Sequence, residues 1–498
     1  MEFFWQNIPF FCILLCIASA SFTSIMSRRL ARANCLLVIT AVIVMSSALI
    51  GRVAMMGHAY TFMMGHFPAP WGNEIRVGLL EAVMALAFPV IMLLALLGGL
   101  DYIDVHIFED KQRFYYIMLE LLLAALLAQV YTNDLFTAYV FVEIMTLSAC
   151  SLITARSKGR TLTAATRYMI MNLMGSGLFL LGLTFLYGMT GHLLMSDIHE
   201  QVVQIVERGA YSYTLTVTVA LMSVGLAIKS ALFPFHTWLP DAYGYSTPTS
   251  SAVLSSLVSK GYIFLLIKIF HRVIGMDVIV EMRITNIFFV FGLVGIIMGS
   301  LSAIREKDIR RMVSFSSVSQ IGYIYMGIGM GTEAGMVAAV FHILVHGMAK
   351  SMLFLSTSGL VQVSGDSKLF SDLRGSGFRN PIAGVAFAVG SFSMVGIPFL
   401  GGFISKVYFA KAAMLMRPTA MLIVLLVLAA STILNTIYFL RTVITLYRPA
   451  VSDTPYEKHR PSLAFAVSML CLIAGNFALG TFSQPLIEAI RAGLRMFA

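Results

Sequence analysis

Five groups of ionisable residues sit where an apolar chain accommodates them least well. Glu143 lies inside the run Phe136–Met145, too deep for its carboxylate to reach a helix end, so it needs a cation or a proton. Lys229 stands five residues before Pro234, whose ring frees the carbonyl of Ser230 and offers an ammonium or a water something to bond. Lys260 follows Ser255-Ser256-Leu257-Val258-Ser259, whose hydroxyls suit a short file of water, with snorkelling to a helix end as the plainer reading. His342, His346 and Lys350 recur every four residues and therefore share one helix face. Lys406 has no acidic neighbour in sequence and reads as the end of a path, not as half of an ion pair.

A charge inside a membrane helix costs from about 2.5 kcal/mol upward, so each of these residues marks a function unless a partner neutralises it. One carboxylate with amines and imidazoles on separate helices, joined by Ser, Thr and Tyr, suits proton transfer. Removing a partner charge a few ångströms away changes the energy of an ammonium by about 4 kcal/mol at an effective dielectric of about 20, enough to switch a lysine between holding and releasing its proton. The histidine pair also matches a zinc pattern, but no third or fourth ligand stands near it in sequence, and no metal is expected. Cys12, Cys16, Cys35, Cys150 and Cys471 are scattered, four of them in apolar runs, and fit neither iron–sulfur nor zinc nor disulfide spacing. The chain has no P-loop, no dinucleotide fingerprint, no His-Glu-x-x-His and no serine elbow, so no cofactor is expected and an autonomous ATPase or hydrolase is disfavoured.

The elements that must position these residues are transmembrane helices. The 498 residues are 58% hydrophobic and 12% charged, with mean hydropathy +0.86, against roughly 45–50% apolar and about 25% charged in soluble domains. Runs long enough to cross a bilayer recur from end to end, as at 77–100, 114–131, 166–187 and 336–358. The pattern predicts an all-α integral membrane protein of about fourteen helices, near 7–26, 35–56, 77–100, 114–131, 134–155, 166–188, 213–232, 248–271, 285–304, 313–330, 336–360, 382–412, 419–446 and 463–482. The first stretch lacks a small-residue cleavage site and is expected to be retained. Ser483 to Ala498 suits a short amphipathic helix at the surface.

The formal charge of +10 is spread in small clusters at helix ends, not along a stripe, which points to a membrane face and away from nucleic acid. Odd-numbered connections carry Arg28, Arg29 and Arg32; Lys111 and Arg113; Arg156, Lys158 and Arg160; Arg305, Lys307, Arg310 and Arg311; Lys368, Arg374 and Arg379; Arg448, Lys458 and Arg460. By the positive-inside rule these face the cytoplasm and both termini lie outside the cell membrane.

Two stretches interrupt the pattern at membrane depth: Ala231-Leu232-Phe233-Pro234, and Gly396-Ile397-Pro398-Phe399-Leu400-Gly401-Gly402. Pro234 and Pro398 remove backbone bonds, while Gly396 and Gly401 relax the chain. Similarly placed breaks in two halves point to a transport site, with packing kinks as the alternative.

Taken together, these residues resemble the antiporter-like subunits shared by respiratory complex I, the Mrp sodium/proton antiporters and the energy-converting membrane-bound hydrogenases. The resemblance spans roughly residues 100 to 445. It is carried most specifically by Lys229-Ser230-Ala231-Leu232-Phe233-Pro234-Phe235-His236-Thr237-Trp238-Leu239-Pro240-Asp241-Ala242, then Thr247-Pro248-Thr249-Ser250-Ser251-Ala252 and Lys260. Further matches, in the family's order, are Asn133-Asp134-Leu135 through Glu143, Asp308-Ile309-Arg310-Arg311 with Ser316 to Gly322, Phe341-His342 through Lys350, and Gly396-Ile397-Pro398 with Gly401-Gly402-Phe403 and Lys406. Arg167 and Arg310 stand where relatives often have lysine, and Val345 where asparagine is frequent.

The resemblance implies two inverted five-helix repeats, each with a broken helix: residues 101–272 and 273–446, after an N-terminal three-helix region (1–100) and before a final helix with a short amphipathic end (447–498). It implies that Glu143 pairs with Lys229, that Lys260 and the helix of His342, His346 and Lys350 relay protons, and that Lys406 ends the path. It implies partner membrane subunits, with protons as cargo and Na+ as an open second ion. A lysine at 406 and the chain's length favour an Mrp D-like or hydrogenase-associated member. Two rival functions are a directly quinone-binding redox component and a scaffold without transport of its own.

Overall fold

A computed structural model describes residues 2–67, 72–449 and 460–497; Lys458 and Ala498 lie outside them. In lipid, backbone N–H and C=O groups must be satisfied within the segment itself, and the chain answers with helices. These are α1 (Glu2–Thr23), α2 (Arg28–Met56), α3 (Leu79–His106), α4 (Glu109–Tyr131), α5 (Leu135–Thr154), α6 (Gly159–Thr190), α7 (Met195–Glu207), α8 (Ser212–Lys229) and α9 (Leu239–Tyr245). They continue with α10 (Pro248–Ile274), α11 (Met276–Glu281), α12 (Ile284–Arg305), α13 (Ile309–Gly329), α14 (Glu333–Gln362), α15 (Ser376–Arg379), α16 (Pro381–Val395), α17 (Gly401–Ala413), α18 (Pro418–Leu446), α19 (Leu463–Thr481) and α20 (Ser483–Arg495). The strands β1 (Tyr60–Met63) and β2 (Glu74–Val77) form an antiparallel hairpin.

Among the described residues, 12 helices are long and apolar enough to cross a membrane. The expected count of about fourteen includes two further segments that miss this criterion for visible reasons. Serines, arginines and Gln320 dilute α13, while α16 and α17 are the short halves of the interrupted segment expected at 382–412. The hairpin, α7 and the turn Phe235–Trp238 leading into α9 were not expected from the pattern.

Two of the helices carrying the candidate chemistry, α10 and α14, are the innermost. α10 and α14 are wrapped on nearly all sides, whereas α2, α18 and α19 turn most of their surface outward. Such inner helices are apolar all round, apart from the few charges that must be explained.

The two ends of the bundle are distinct. Arg28 pairs with Glu109, Lys111 bonds Ser157, Ser462 bonds Asp101, and Tyr102, Arg156, Arg310 and Lys368 line one cavity, so the odd connections meet at one end. At the other end Asn133 N–H bonds the Glu74 carbonyl, Met195 N–H bonds that of Asn133, and Arg495 reaches Glu333 at 3.3 Å.

The halves share a local device. Asp134 caps α5 by accepting from Thr137 N–H, and Asp308 caps α13 by accepting from Arg310 and Arg311 N–H. Each aspartate also forms an isolated antiparallel bridge to a leucine about 60 residues further on, Leu194 and Leu369, and the two bridges lie at opposite ends of the bundle.

Candidate functional site

Two broken helices shape the site. At the first break α8 ends, Ala231 takes a left-handed φ of 61°, and a cis peptide precedes Pro234. The carbonyl of Ile228 at the break accepts both from Ala231 N–H and from the Trp238 indole, each at 3.2 Å. At the second, Gly396 has φ 91° and Pro398 sits in the turn between α16 and α17. The freed Met394 carbonyl accepts from Asn435 at 3.3 Å, and that of Val395 accepts from Lys406 Nζ at 2.6 Å. A Cβ on Gly402 would overlap the Ser393 carbonyl oxygen, and one on Gly401 would touch Val345 of α14 at 3.0 Å, so these glycines let α17 fold back against the break.

Lys229 and Glu143 come together, with Nζ 3.7 Å from Oε1. Lys229 is fully buried and Glu143 about one quarter exposed, its carboxylate also accepting from Ser176. The ammonium donates to Thr146 Oγ1 at 2.8 Å and lies 5.2 Å from the Tyr262 ring, whose hydroxyl is 3.0 Å from that same Thr146 oxygen. The spacing to Pro234 pointed Lys229 at the Ser230 carbonyl; instead the side chain turns to α5, because Thr146 lies one turn from Glu143 on the same face. Close passage of α6 and α8 at Gly175, where a Cβ would be 2.7 Å from the Gly225 carbonyl, brings the Ser176 hydroxyl within reach.

Lys260 is also fully buried and follows a π-turn over Leu254–Val258. Its ammonium is held by the Ser255 carbonyl and by Ser259 Oγ at 3.1 Å. Snorkelling is ruled out by this geometry, and a backbone carbonyl stands where a file of hydroxyls was expected; π-turns free such groups and are frequent at functional sites. In α14 the rings of His342 and His346 stack in parallel with centroids 6.0 Å apart, and none of their four ring nitrogens has a protein partner. Lys350, one turn further, donates to the Val313 carbonyl at 2.9 Å and to Ser316 Oγ. Lys406 also donates to Thr432 Oγ1 at 2.8 Å and lies 5.9 Å from the ring of Tyr323, which in turn lies 5.6 Å from His342.

The structure thus joins Glu143, Lys229 and the Lys260 helix in one cluster, and His342, His346 and Lys406 through Tyr323 in another. Buried polar atoms without a protein partner, Ser256 Oγ, Gln320 Nε2, Tyr323 Oη, Ser391 Oγ and Ser431 Oγ, lie on the helices around them. Thr146 was findable from its spacing to Glu143; Thr432 and the capping carbonyls have no signal in sequence. Lys268 was missed altogether: it is buried, and its amine takes the carbonyls of Gln129, Val130 and Thr132, which closes the C-terminal end of α4. Among the described residues, no group of three or more His, Cys, Asp and Glu side chains is arranged to hold a metal ion.

Residues 132–433 match the family described as NADH:quinone oxidoreductase/Mrp antiporter, transmembrane. The NADH-quinone oxidoreductase subunit N of Desulforudis audaxviator (strain MP104C) is 29% identical over 462 residues, 90% of each chain. The D-type subunit of the Na(+)/H(+) antiporter of Bacillus subtilis (strain 168) is 27% identical over 444 residues, covering 88% of this chain and 86% of that one. Among solved structures, a chain of the membrane-bound sulfane sulfur reductase, an archaeal respiratory membrane complex, superposes with TM-score 0.87 at 24% identity over 99% of this chain and 98% of that chain, a likeness of fold.

Proposed function

The chain belongs to the NADH:quinone oxidoreductase/Mrp antiporter transmembrane family, and on that premise we propose that it is a proton-translocating subunit of a multi-subunit membrane complex. Protons pass along Glu143, Lys229, Lys260, His342, His346 and Lys350 to Lys406, with Na+ as a second candidate ion. The observation that carries this reading is the Glu143–Lys229 pair at 3.7 Å, bridged through Thr146 and Tyr262 to the helix of Lys260. A partner's redox reaction or a counter-ion gradient that separates this pair changes the proton affinity of Lys229. The unpartnered ring nitrogens of His342 and His346, with the hydroxyls around them, supply the two to four polar contacts that a bridging water needs.

The architecture proposed is that of two inverted repeats, 101–272 and 273–446, between the N-terminal region 1–100 and the tail 447–498. The two aspartate caps with their matching bridges at opposite ends support it, and counting α13 and the broken α16–α17 pair as crossings gives fourteen. The odd connections are placed in the cytoplasm. The N-type and D-type relatives stand at 29% and 27% identity, so neither assignment is favoured over the other.

Purifying the native complex in mild detergent and identifying every co-purifying chain tests the driver. Redox subunits make this a redox-driven pump module, small antiporter-type subunits a secondary cation/proton antiporter, and recovery of the chain alone contradicts the assignment. A quinone titration of the isolated chain addresses the rival redox role; saturable binding at the axis would favour it.

A further inference from the structure

Outside the central chain, α4 carries a second carboxyl, Glu120, with no exposed surface at all. Its oxygens lie 3.3 and 3.1 Å from Thr23 Oγ1 of α1, and its Oε1 lies 3.4 Å from Asn34 Nδ2 of α2. Asn34 Nδ2 also reaches Ser19 Oγ at 2.6 Å and Thr23 Oγ1 at 3.0 Å, which closes a ring of hydroxyls and one amide around the carboxyl. The titratable groups facing it are the free thiols Cys16 of α1 and Cys35 of α2, and none of its partners carries a positive charge. A carboxylate this deep, with neutral partners alone, carries a desolvation cost that no cation offsets, whereas a carboxylic acid fits: its O–H donates to Thr23 and its carbonyl accepts from Asn34.

Tyr116 precedes Glu120 by four residues and so lies on the same face of α4. Its hydroxyl accepts from Arg32 Nε at 3.2 Å, and Arg32 pairs with Asp104 of α3 at the end where the odd connections meet. Both members of that pair are about one third to one half exposed.

We propose that Glu120 binds an exchangeable proton in a site built by Ser19, Thr23 and Asn34, lateral to the central axis and connected through Tyr116 to the odd-connection end. This goes beyond the transport reading and does not depend on it. Infrared difference spectroscopy on the purified complex, comparing wild type with Glu120→Gln, tests it. The expected result is the carbonyl-stretch band of a neutral carboxylic acid at neutral pH, lost in the variant and downshifted in D2O. Thr23→Val should move that same band in a complex that keeps the carboxyl, and Tyr116→Phe should slow its deuterium exchange severalfold. Absence of the band, a band that does not exchange, or one erased by NaCl but not by KCl at fixed pH would overturn the assignment, the last by making it a sodium site.

Discussion

At the scale of single residues, the buried charges are defined by what their polar atoms touch. Lys229 balances one carboxylate at 3.7 Å against one hydroxyl at 2.8 Å. A hydrogen bond to a charged group contributes about 1.5–3 kcal/mol, so Thr146→Val should slow coupled proton flux about tenfold or more, while Thr146→Ser should keep most of it; equal rates in both variants would show that Thr146 plays no part. Outside the membrane segments, Lys368 donates to the Gly244 carbonyl at 2.9 Å. Burial, with the Arg310 guanidinium nearby, pushes it down to about 7. A lysine whose proton affinity falls on folding makes the fold bear the cost of charging it below that value, and stability from this group rises as pH climbs from about 7 toward the free-lysine value. Lys368→Met should therefore gain thermal stability relative to wild type as pH drops from the free-lysine range toward about 7, and hold that gain below it. A difference that does not change with pH would remove the titration of Lys368 as its cause.

Much of this was legible in the sequence, because a charge in an apolar run is visible without a structure. Glu143, Lys229, Lys260, His342, His346, Lys350 and Lys406 all proved to be drawn into the protein interior or its immediate edge. The partners of Lys406 were not legible, since it finds Thr432 and the Val395 carbonyl across a fold the spacing does not encode. Glu120 escaped notice because α4 was expected to begin at 114, which put the carboxyl within snorkelling distance of a helix end; the helix in fact starts at Glu109.

At the scale of elements, the breaks work because small residues let the two helix halves and their neighbours approach. Gly402→Ala places a methyl on top of the Ser393 carbonyl oxygen. It should destabilise by about 3 kcal/mol, the upper range of overpacking, and lower the yield of assembled complex. Gly177→Ala, on the open side of α6 where nothing lies within 4 Å, should be neutral or stabilising by up to about 1 kcal/mol. Similar yields for the two variants would mean the second break is not held by close packing. Positions of the breaks were readable from Pro234, Pro398 and the glycines around Gly396; the direction in which each break redirects its neighbours was not, because it depends on which freed carbonyl finds which donor.

At the scale of the whole molecule, the basic odd connections meet at one end of the bundle, and which side of the membrane that end faces is what the proposed orientation asserts. On a background lacking Cys471, Ser367→Cys in an odd connection should react with an impermeant thiol reagent only from the cytoplasmic side, and Thr332→Cys in an even one only from outside; the opposite pattern would invert the proposed orientation. Distribution of charge also separates the two functions inferred, with a central axis in α5, α8, α10, α14 and α17 and a lateral carboxyl among α1, α2 and α4. The most direct test of the central axis is proton flux in proteoliposomes holding the assembled complex, with subunit content checked in the same preparation, for wild type, Glu143→Ala and Lys406→Ala. Each variant should lose most coupled flux while retaining its partners; wild-type rates in either would contradict the axis.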